Sequence, residues 1–446
     1  MFMKIAFHTL GCKVNQYETE AIKEQFIKRG HTVVEETEKA DCYVINTCTV
    51  TNLADRKSRQ FIRRADRLSP GAVIAVTGCY SQIMPDDLWD MPEVDVVTGT
   101  GNKQKLIDMV EAAYAERKRI REVLSYDDLR EYTDRGIILS MEGRTRAYIK
   151  IQEGCDRFCA YCLIPYARGR ARSRDPEEIV EEARVLIDRG FKEIVLTGIN
   201  TALYGTEPGF ASRYSVSEEG IESIIKMISE IPGNFRLRLS SLEPTVVNAG
   251  YVERLLKYPK LCPHLHLSIQ SGSDRILKAM NRRYTRDEYL DIVRVLKAHD
   301  PGYGITTDII VGFPGETDED FRDSLDMVNE AGFLKVHVFK YSKRKGTKAE
   351  AMKDQVGGEV KNLRSDELQE AGEKAAAEFF EREKGRARVV LFEEITADGL
   401  LTGYTENYIK TYVPVPAEED AEKRLNGFFR VRLDEAFRDG MKASLI

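Results

Sequence analysis

Cys155, Cys159 and Cys162 form a C-x3-C-x2-C run in a chain of 446 residues. Three thiolates at that spacing can wrap one iron–sulfur cube. A cube has four irons, so three cysteines leave one iron open to bind something else. A structural zinc site is the alternative, but such sites usually have four closed ligands. No fourth cysteine lies near the run. The run follows the apolar stretch YIKIQ, which reads as a strand. It therefore sits on a loop at a strand's C-terminal end, where barrel active sites gather.

Cys12, Cys48 and Cys79 each follow a short apolar run as well. In a parallel sheet the strand ends share one edge, so three cysteines distant in sequence can converge there. They offer a second incomplete thiolate site, or they are small buried apolar residues. Cys42 begins a strand and belongs at the opposite edge, in the core. Cys262 reads the same way. Clustered cysteines in a reducing compartment serve as metal ligands or reactive thiols before they serve as disulfides.

The elements that must position these residues follow from hydrophobic periodicity. Residues 1–120 alternate the apolar runs KIAFHTL, CYVIN, AVIAVTG and VDVVTG with amphipathic stretches. This predicts an α/β domain with a parallel sheet. Residues 121–144 are charged and turn-rich, a linker. Residues 145–385 restart the alternation with six strand–helix units, predicting a partial (β/α)6 barrel. Residues 386–446 hold only short strands with Gly and Asn turns, predicting a small antiparallel β-barrel. The net charge of −6 does not advertise a polyanion binder, yet local basic patches remain open. No apolar run is long enough for a transmembrane helix, and the start is too quickly polar for a signal peptide, so a cytoplasmic protein is expected.

With Tyr161 before its last cysteine, the central run resembles the signature of the radical S-adenosylmethionine (SAM) superfamily. The order GCKVNQYETE, NTC, TGC, CDRFCAYC, IPYARGRARSR and QSGS resembles the methylthiotransferase family over essentially the whole chain. The resemblance implies two [4Fe-4S] clusters: one on Cys155, Cys159 and Cys162 that chelates and cleaves SAM, and an auxiliary one on Cys12, Cys48 and Cys79 that handles sulfur. It implies hydrogen abstraction from an adenine C2, sulfur insertion, and methyl transfer from a second SAM. The last domain resembles TRAM, commonly an RNA-binding fold.

Polar clusters at strand ends suit SAM. Thr197, Gly198 and Asn200 close one strand, and glycine there admits a ligand close to the backbone. Ser240 and Glu243 close the next, Gln270 and Ser271 another, and Asp308 lies on a further strand. Met280 to Thr285 resembles the family's M-x-R-x-Y-T segment, which makes Arg282 the expected partner of the SAM carboxylate. Cys262, His264 and His266 alternate on one strand face, which suits barrel-lining residues or, alternatively, a metal site.

Arg168, Arg170, Arg172 and Arg174 alternate after the cluster loop, and arginine forks suit phosphates. Lys343, Arg344 and Lys345 form another basic stretch, as do Arg56, Lys57, Arg59, Arg63, Arg64 and Arg67. Tyr404, Asn407 and Lys410 mix stacking, amide and charge in the tail, as RNA-binding barrels do. Within the family, Lys13-Val14-Asn15 resembles the branch acting on N6-threonylcarbamoyladenosine beside the tRNA anticodon, at position 37. The branches acting on isopentenyladenosine in tRNA and on an aspartate of a ribosomal protein are the alternatives. The residues name neither the electron donor nor the sulfur source.

Overall fold

The computed structural model describes residues 2–129, 132, 145–216, 220–415 and 421–446. Most of the expected linker lies outside the described residues.

Six strands make the first sheet: β1 (Lys4–Thr9), β2 (Thr32–Val34), β3 (Cys42–Thr47), β4 (Val73–Gly78), β5 (Val96–Thr98) and β6 (Ile120–Glu122). Their order is β2-β1-β3-β4-β5-β6, and all pairs are parallel. Every residue of β3 and β4 is buried, because helices cover both faces of the sheet. Phe26, Val44, Val96 and Val110 pack on one face; Ile45, Ile62, Val76 and Val97 pack on the other. The expected strands are β1, β3, β4 and β5. The two that periodicity did not reveal, β2 and β6, are three-residue edge strands with no full alternation to read.

The second unit contains β7 (Arg146–Glu153), β8 (Arg172–Ser173), β9 (Glu193–Gly198), β10 (Arg236–Leu239), β11 (His264–His266), β12 (Gly304–Val311) and β13 (Lys335–Lys340). Strands β7, β9 and β10 are parallel neighbours, as are β11, β12 and β13. The bridges Leu237–Leu261 and Leu242–Leu267 join the two groups into one open six-stranded parallel wall. This is the partial barrel, with β8 as a short antiparallel flap on β7. Alternation turns Ala147, Ile149 and Ile151 outward onto Ile179, Val180 and Ala183 of the helix Pro176–Asp188. The same alternation turns Arg146, Tyr148, Lys150 and Gln152 inward.

The third unit is a closed barrel of β14 (Ala387–Ile395), β15 (Leu400–Thr405), β16 (Lys410–Pro414), β17 (Phe428–Phe437) and β18 (Gly440–Leu445). The long helix Gly358–Glu383 leads into it. Among the described residues no helix is long and apolar enough to cross a membrane.

Candidate functional site

Cys12 is the N-cap of the helix Lys13–Lys28, and its thiol makes no capping hydrogen bond. Cys48 follows β3, and Cys79 opens the helix Cys79–Ile83 directly after β4. The chain before Cys12 must pass so close to Cys48 that only glycine serves. Gly11 has φ +109°, and a Cβ there would lie 2.8 Å from the Cys48 Cβ. The three thiols therefore converge at one sheet edge. Burial pushes the Cys48 thiol up to about 12, with Cys79 and Cys12 adding to the rise. Burial also raises Cys79, against the pull of Arg168. Cys42 packs in the core at the other end of β3.

Asn15 sets the turns that carry two of these thiols. Its amide donates to the Leu10 carbonyl at 2.7 Å and the Thr47 carbonyl at 3.0 Å. Asn15, expected only as part of the Lys13-Val14-Asn15 stretch, and Glu18 were not expected at the site. Their i, i+3 spacing puts them on one helix face, which was the available signal.

The second cysteine group follows β7. Gly154 has φ +73°, and a Cβ there would lie 1.9 Å from the Arg170 carbonyl oxygen. The loop is pinned by Cys155 N–H donating to the Gly169 carbonyl and Ala160 N–H donating to Met280. Asn281 donates to the carbonyls of Arg157 and Phe158. Burial raises the Cys155 thiol to about 11, with Cys159 and Glu243 adding to it. Burial raises Cys159 and Cys162 too. Burial therefore favours the protonated thiol at Cys48 and Cys79 in the first group and at all three cysteines of the second. Cationic metal is what would make such thiols thiolates, so both donor sets fit a cluster. Among the described residues no three His, Cys, Asp or Glu are grouped to hold a single metal ion. In a cube each thiolate ligates a separate iron, which asks for a wider ring of sulfurs.

Arg168 joins the two groups. Expected to contact RNA, it is instead fully buried. Its Nε donates to Cys79 Sγ at 3.1 Å, and Nη2 donates to Asn15 Oδ1 at 2.6 Å. It also pairs with Glu18 and Glu153. Glu18 further binds Lys103 at 2.5 Å and Lys150 at 2.7 Å. Burial alone would raise the Glu18 carboxyl, but these cations hold it well below the carboxylate range. Arg174 is also taken off the surface, by Glu182 and the Tyr17 hydroxyl. Arg172 donates to the carbonyls of Leu129, Arg168 and Arg170. Of the four alternating arginines only Arg170 is exposed.

Most of the residues expected to meet SAM gather near the second cysteine group. Glu243 accepts from Arg157 at 2.6 Å, Asn200 at 3.1 Å and Thr245 at 2.7 Å, and Arg282 Nη1 lies 3.4 Å away. Arg282 Nη2 donates to the Tyr161 hydroxyl at 2.7 Å. Among the described residues the buried Arg282 Nε, Asn200 Oδ1 and Ser240 Oγ have no hydrogen-bond partner. These unpaired atoms fit a polar ligand. Thr197 and Gly198 end β9, where the Asn200 N–H donates to Gln152 Oε1. Gln270 (φ +74°) and Asp308 line a cavity of about 210 Å³ with Tyr161, Val50 and Thr51. That cavity brings the Cys48 loop and the central loop to one space. Asp308 accepts from His266 at 3.0 Å and Ser268 at 2.8 Å. Burial opposes its charge, yet these bonds keep its carboxyl below the usual range. Ser271 differs: it is fully buried, and its hydroxyl accepts the Ser273 N–H inside a turn.

The barrel's N-terminal end is plugged by the third unit. Tyr408 stacks on His264 at 4.3 Å, with the Arg238 guanidinium 4.7 Å from its ring. Tyr404 stacks on Tyr408, and Arg146 lies 4.8 Å from its ring. Asn407 is fully buried, donating to the Gly302 carbonyl and Glu383. Asn407 is therefore a domain anchor, not a surface presented to RNA, and Tyr404 serves the same seam. Lys410 pairs with Asp439 at 3.3 Å. Arg344 is another anchor: it binds Asp55 at 2.7 Å, Thr49 at 2.6 Å and Asn52. Lys343 and Lys345 beside it are exposed.

Residues 149–328 match the model of the Radical SAM superfamily, and residues 4–99 that of Uncharacterized protein family UPF0004. The chain is 43% identical over 410 residues to the threonylcarbamoyladenosine tRNA methylthiotransferase MtaB of Bacillus subtilis, covering 91% of this chain and 89% of that one. It is 35% identical to the tRNA-2-methylthio-N(6)-dimethylallyladenosine synthase of Clostridium novyi, over 86% of this chain and 84% of that one. The fold resembles the radical S-adenosylmethionine methyltransferase TsrM of Kitasatospora setae, with TM-score 0.55 and 15% identity over 75% and 72% of the two chains.

Proposed function

Because the chain belongs to the radical SAM methylthiotransferase family, we propose that it converts N6-threonylcarbamoyladenosine in tRNA to its 2-methylthio form at position 37. One observation carries the mechanistic part. The loops that carry two three-cysteine groups line one cavity through Val50, Thr51 and Tyr161, and the buried Arg168 bonds to Cys79 of one group and to Glu153, two residues before the other. A radical enzyme of this family carries a [4Fe-4S] cluster and SAM, and Cys155, Cys159 and Cys162 are the residues that would hold the cluster. Cys12, Cys48 and Cys79 would hold the second. When bound, these groups supply a carbon radical from SAM and the sulfur to be inserted.

The chain's residues do the rest. Arg282, Glu243, Asn200 and Ser240 supply opposite charges and free polar atoms for the amino acid end of SAM. Gln270 and Asp308 line the space between the two cysteine groups. Cys48 and Cys79 are buried and Cys155, Cys159 and Cys162 partly buried, which limits the access of water to a reactive radical. Val50 and Phe339 line the cavity and are exposed apolar residues, and Leu53 and Tyr166, which follow the two cysteine loops in sequence, are exposed as well. Arg56, Lys57, Lys340, Lys343 and Lys345 stand exposed beside them in sequence. Apolar platforms flanked by cations suit unstacked bases and phosphates of an RNA loop.

The test is mass spectrometry of tRNA nucleosides from cells with and without this protein. Loss of 2-methylthio-threonylcarbamoyladenosine is expected. Loss of the methylthio-isopentenyl nucleoside instead would overturn the substrate and keep the chemistry.

A further inference from the structure

A reacting base beside an anticodon sits in a loop closed by a base-paired stem, and an enzyme can recognise that stem as well as the base. Resting on the tRNA reading above, we infer that the exposed face of the helix Asn52–Leu68 docks the stem and so selects a folded stem–loop over an unpaired strand.

The helix starts at the cavity, where its N-cap Thr51 is a lining residue beside Val50. The Asn52 amide donates to the Lys343 carbonyl at 3.1 Å, and the Arg344 guanidinium meets Asp55 at 2.7 Å. The exposed Lys343 and Lys345 therefore stand at the start of the helix. Phe61, Ile62 and Ala65 turn inward and pack on the first sheet. Helical periodicity then turns Arg56, Lys57, Gln60, Arg63, Arg64 and Arg67 outward, and all six are exposed. Arg59, on the flank, donates to the Tyr80 hydroxyl at 2.6 Å.

Other solvated helix faces of this protein mix the two signs: Lys23 pairs with Glu20, Arg184 with Glu181 and Arg294 with Asp291. Here both carboxylates of the helix are off the exposed face, Asp55 being buried against Arg344 and Asp66 half-buried. Among the described residues Arg56, Lys57, Arg64 and Arg67 have no hydrogen bond or ion pair, and Arg63 reaches only Glu93, at 3.8 Å. Arg67 stands four residues from Arg63 and three from Arg64, spacings at which like charges repel along a helix. In a chain of net charge −6, this concentration of cations costs stability that a bound polyanion offsets.

Length assigns the polyanion to a stem. At 1.5 Å per residue, Arg63 to Arg67 lie about 18–24 Å along the helix from Thr51. A duplex advances ~3.4 Å per base pair, so that distance spans several pairs beyond a base held at the cavity. Arginine forks there can grip phosphates on the shape of a helix without reading its sequence. In the third unit, by contrast, Asn407 is committed to the seam and Lys410 to Asp439.

The experiment uses the reconstituted holoenzyme and two RNAs carrying threonylcarbamoyladenosine. One is an anticodon stem–loop; the other keeps the loop but has flanks that cannot pair. Dissociation constants are read by fluorescence anisotropy over a range of salt, with poly-glutamate as a competing polyanion. The wild-type protein is expected to favour the stem–loop by about tenfold. The triple variant Arg63→Gln, Arg64→Gln, Arg67→Gln should bind the two RNAs alike, with a salt slope for the stem–loop smaller by about two to three units. Its iron content and thermal midpoint should match the wild type, and lysine at the same three positions should keep most of the preference. Lys343→Gln with Lys345→Gln should weaken both RNAs together and leave the preference in place. Equal wild-type binding of the two RNAs overturns the inference without any variant. A preference that survives in the triple glutamine variant overturns it as well, and so does poly-glutamate that competes as well as the stem–loop. If the stem–loop is preferred but yields no methylthio product in a parallel assay, the substrate reading falls and the docking surface stands.

Discussion

Replacing Arg344 by methionine should separate radical generation from sulfur insertion. Arg344 belongs to the barrel unit, yet its guanidinium lies against Thr49, Asn52 and Asp55 of the first domain, just after Cys48. Burial already raises the Asp55 carboxyl, and Arg344 opposes that rise. Without the guanidinium, Asp55 is left buried and unpaired at the seam. Breaking a buried pair costs roughly 3–5 kcal/mol. The lower figure, about 3 kcal/mol, weakens domain docking by a factor of ~150. The assay follows 5′-deoxyadenosine and methylthio nucleoside in one anaerobic reaction. Deoxyadenosine formation should change little, because among the described residues the Arg344 guanidinium bonds to Thr49, Asn52 and Asp55 and not to Glu243 or Arg282. Methylthio product should fall at least tenfold. Adding Asp55→Leu to Arg344→Met should recover part of the loss, since it removes the orphaned carboxylate. The reasoning is refuted if both products fall in parallel, or if neither falls.

Four further outcomes are expected. Alanine at Cys12, Cys48 and Cys79 should halve iron and sulfide and retain SAM cleavage; alanine at Cys155, Cys159 and Cys162 should halve them and abolish it. Arg282→Met should weaken SAM binding by about tenfold or more, read by equilibrium dialysis, because a charge-assisted contact of ~1.5–3 kcal/mol is removed. Alanine at Lys343 and Lys345 should lower the salt dependence of tRNA binding by about one slope unit per phosphate contact, whereas Arg168→Met should cost stability. Glu193, held below its ordinary value of 4.5 by Arg238 and Arg236 despite its burial, should contribute stability that is fully present above pH 4.5. That contribution should decline as pH falls toward the lowered folded value, and Glu193→Gln should flatten that part of an acid-unfolding curve.

The elements long enough to show a period were legible in the sequence. Strands β1, β3, β4 and β5 and the six barrel strands announce themselves as apolar runs because they are buried on a helix-covered sheet. The cysteine spacing declared its chemistry because ligand type and number are covalent properties of the chain. Convergence of Cys12, Cys48 and Cys79 also followed, because parallel strand ends must share an edge. The fate of the charges did not follow. Arg168, Arg174, Arg344 and Asn407 look in sequence like solvated or phosphate-seeking groups, and each is buried at a seam. Their partners, Glu18, Glu182, Asp55 and Glu383, lie from 8 to nearly 300 positions away. A charge is soluble or structural according to what faces it, and only tertiary packing chooses that partner.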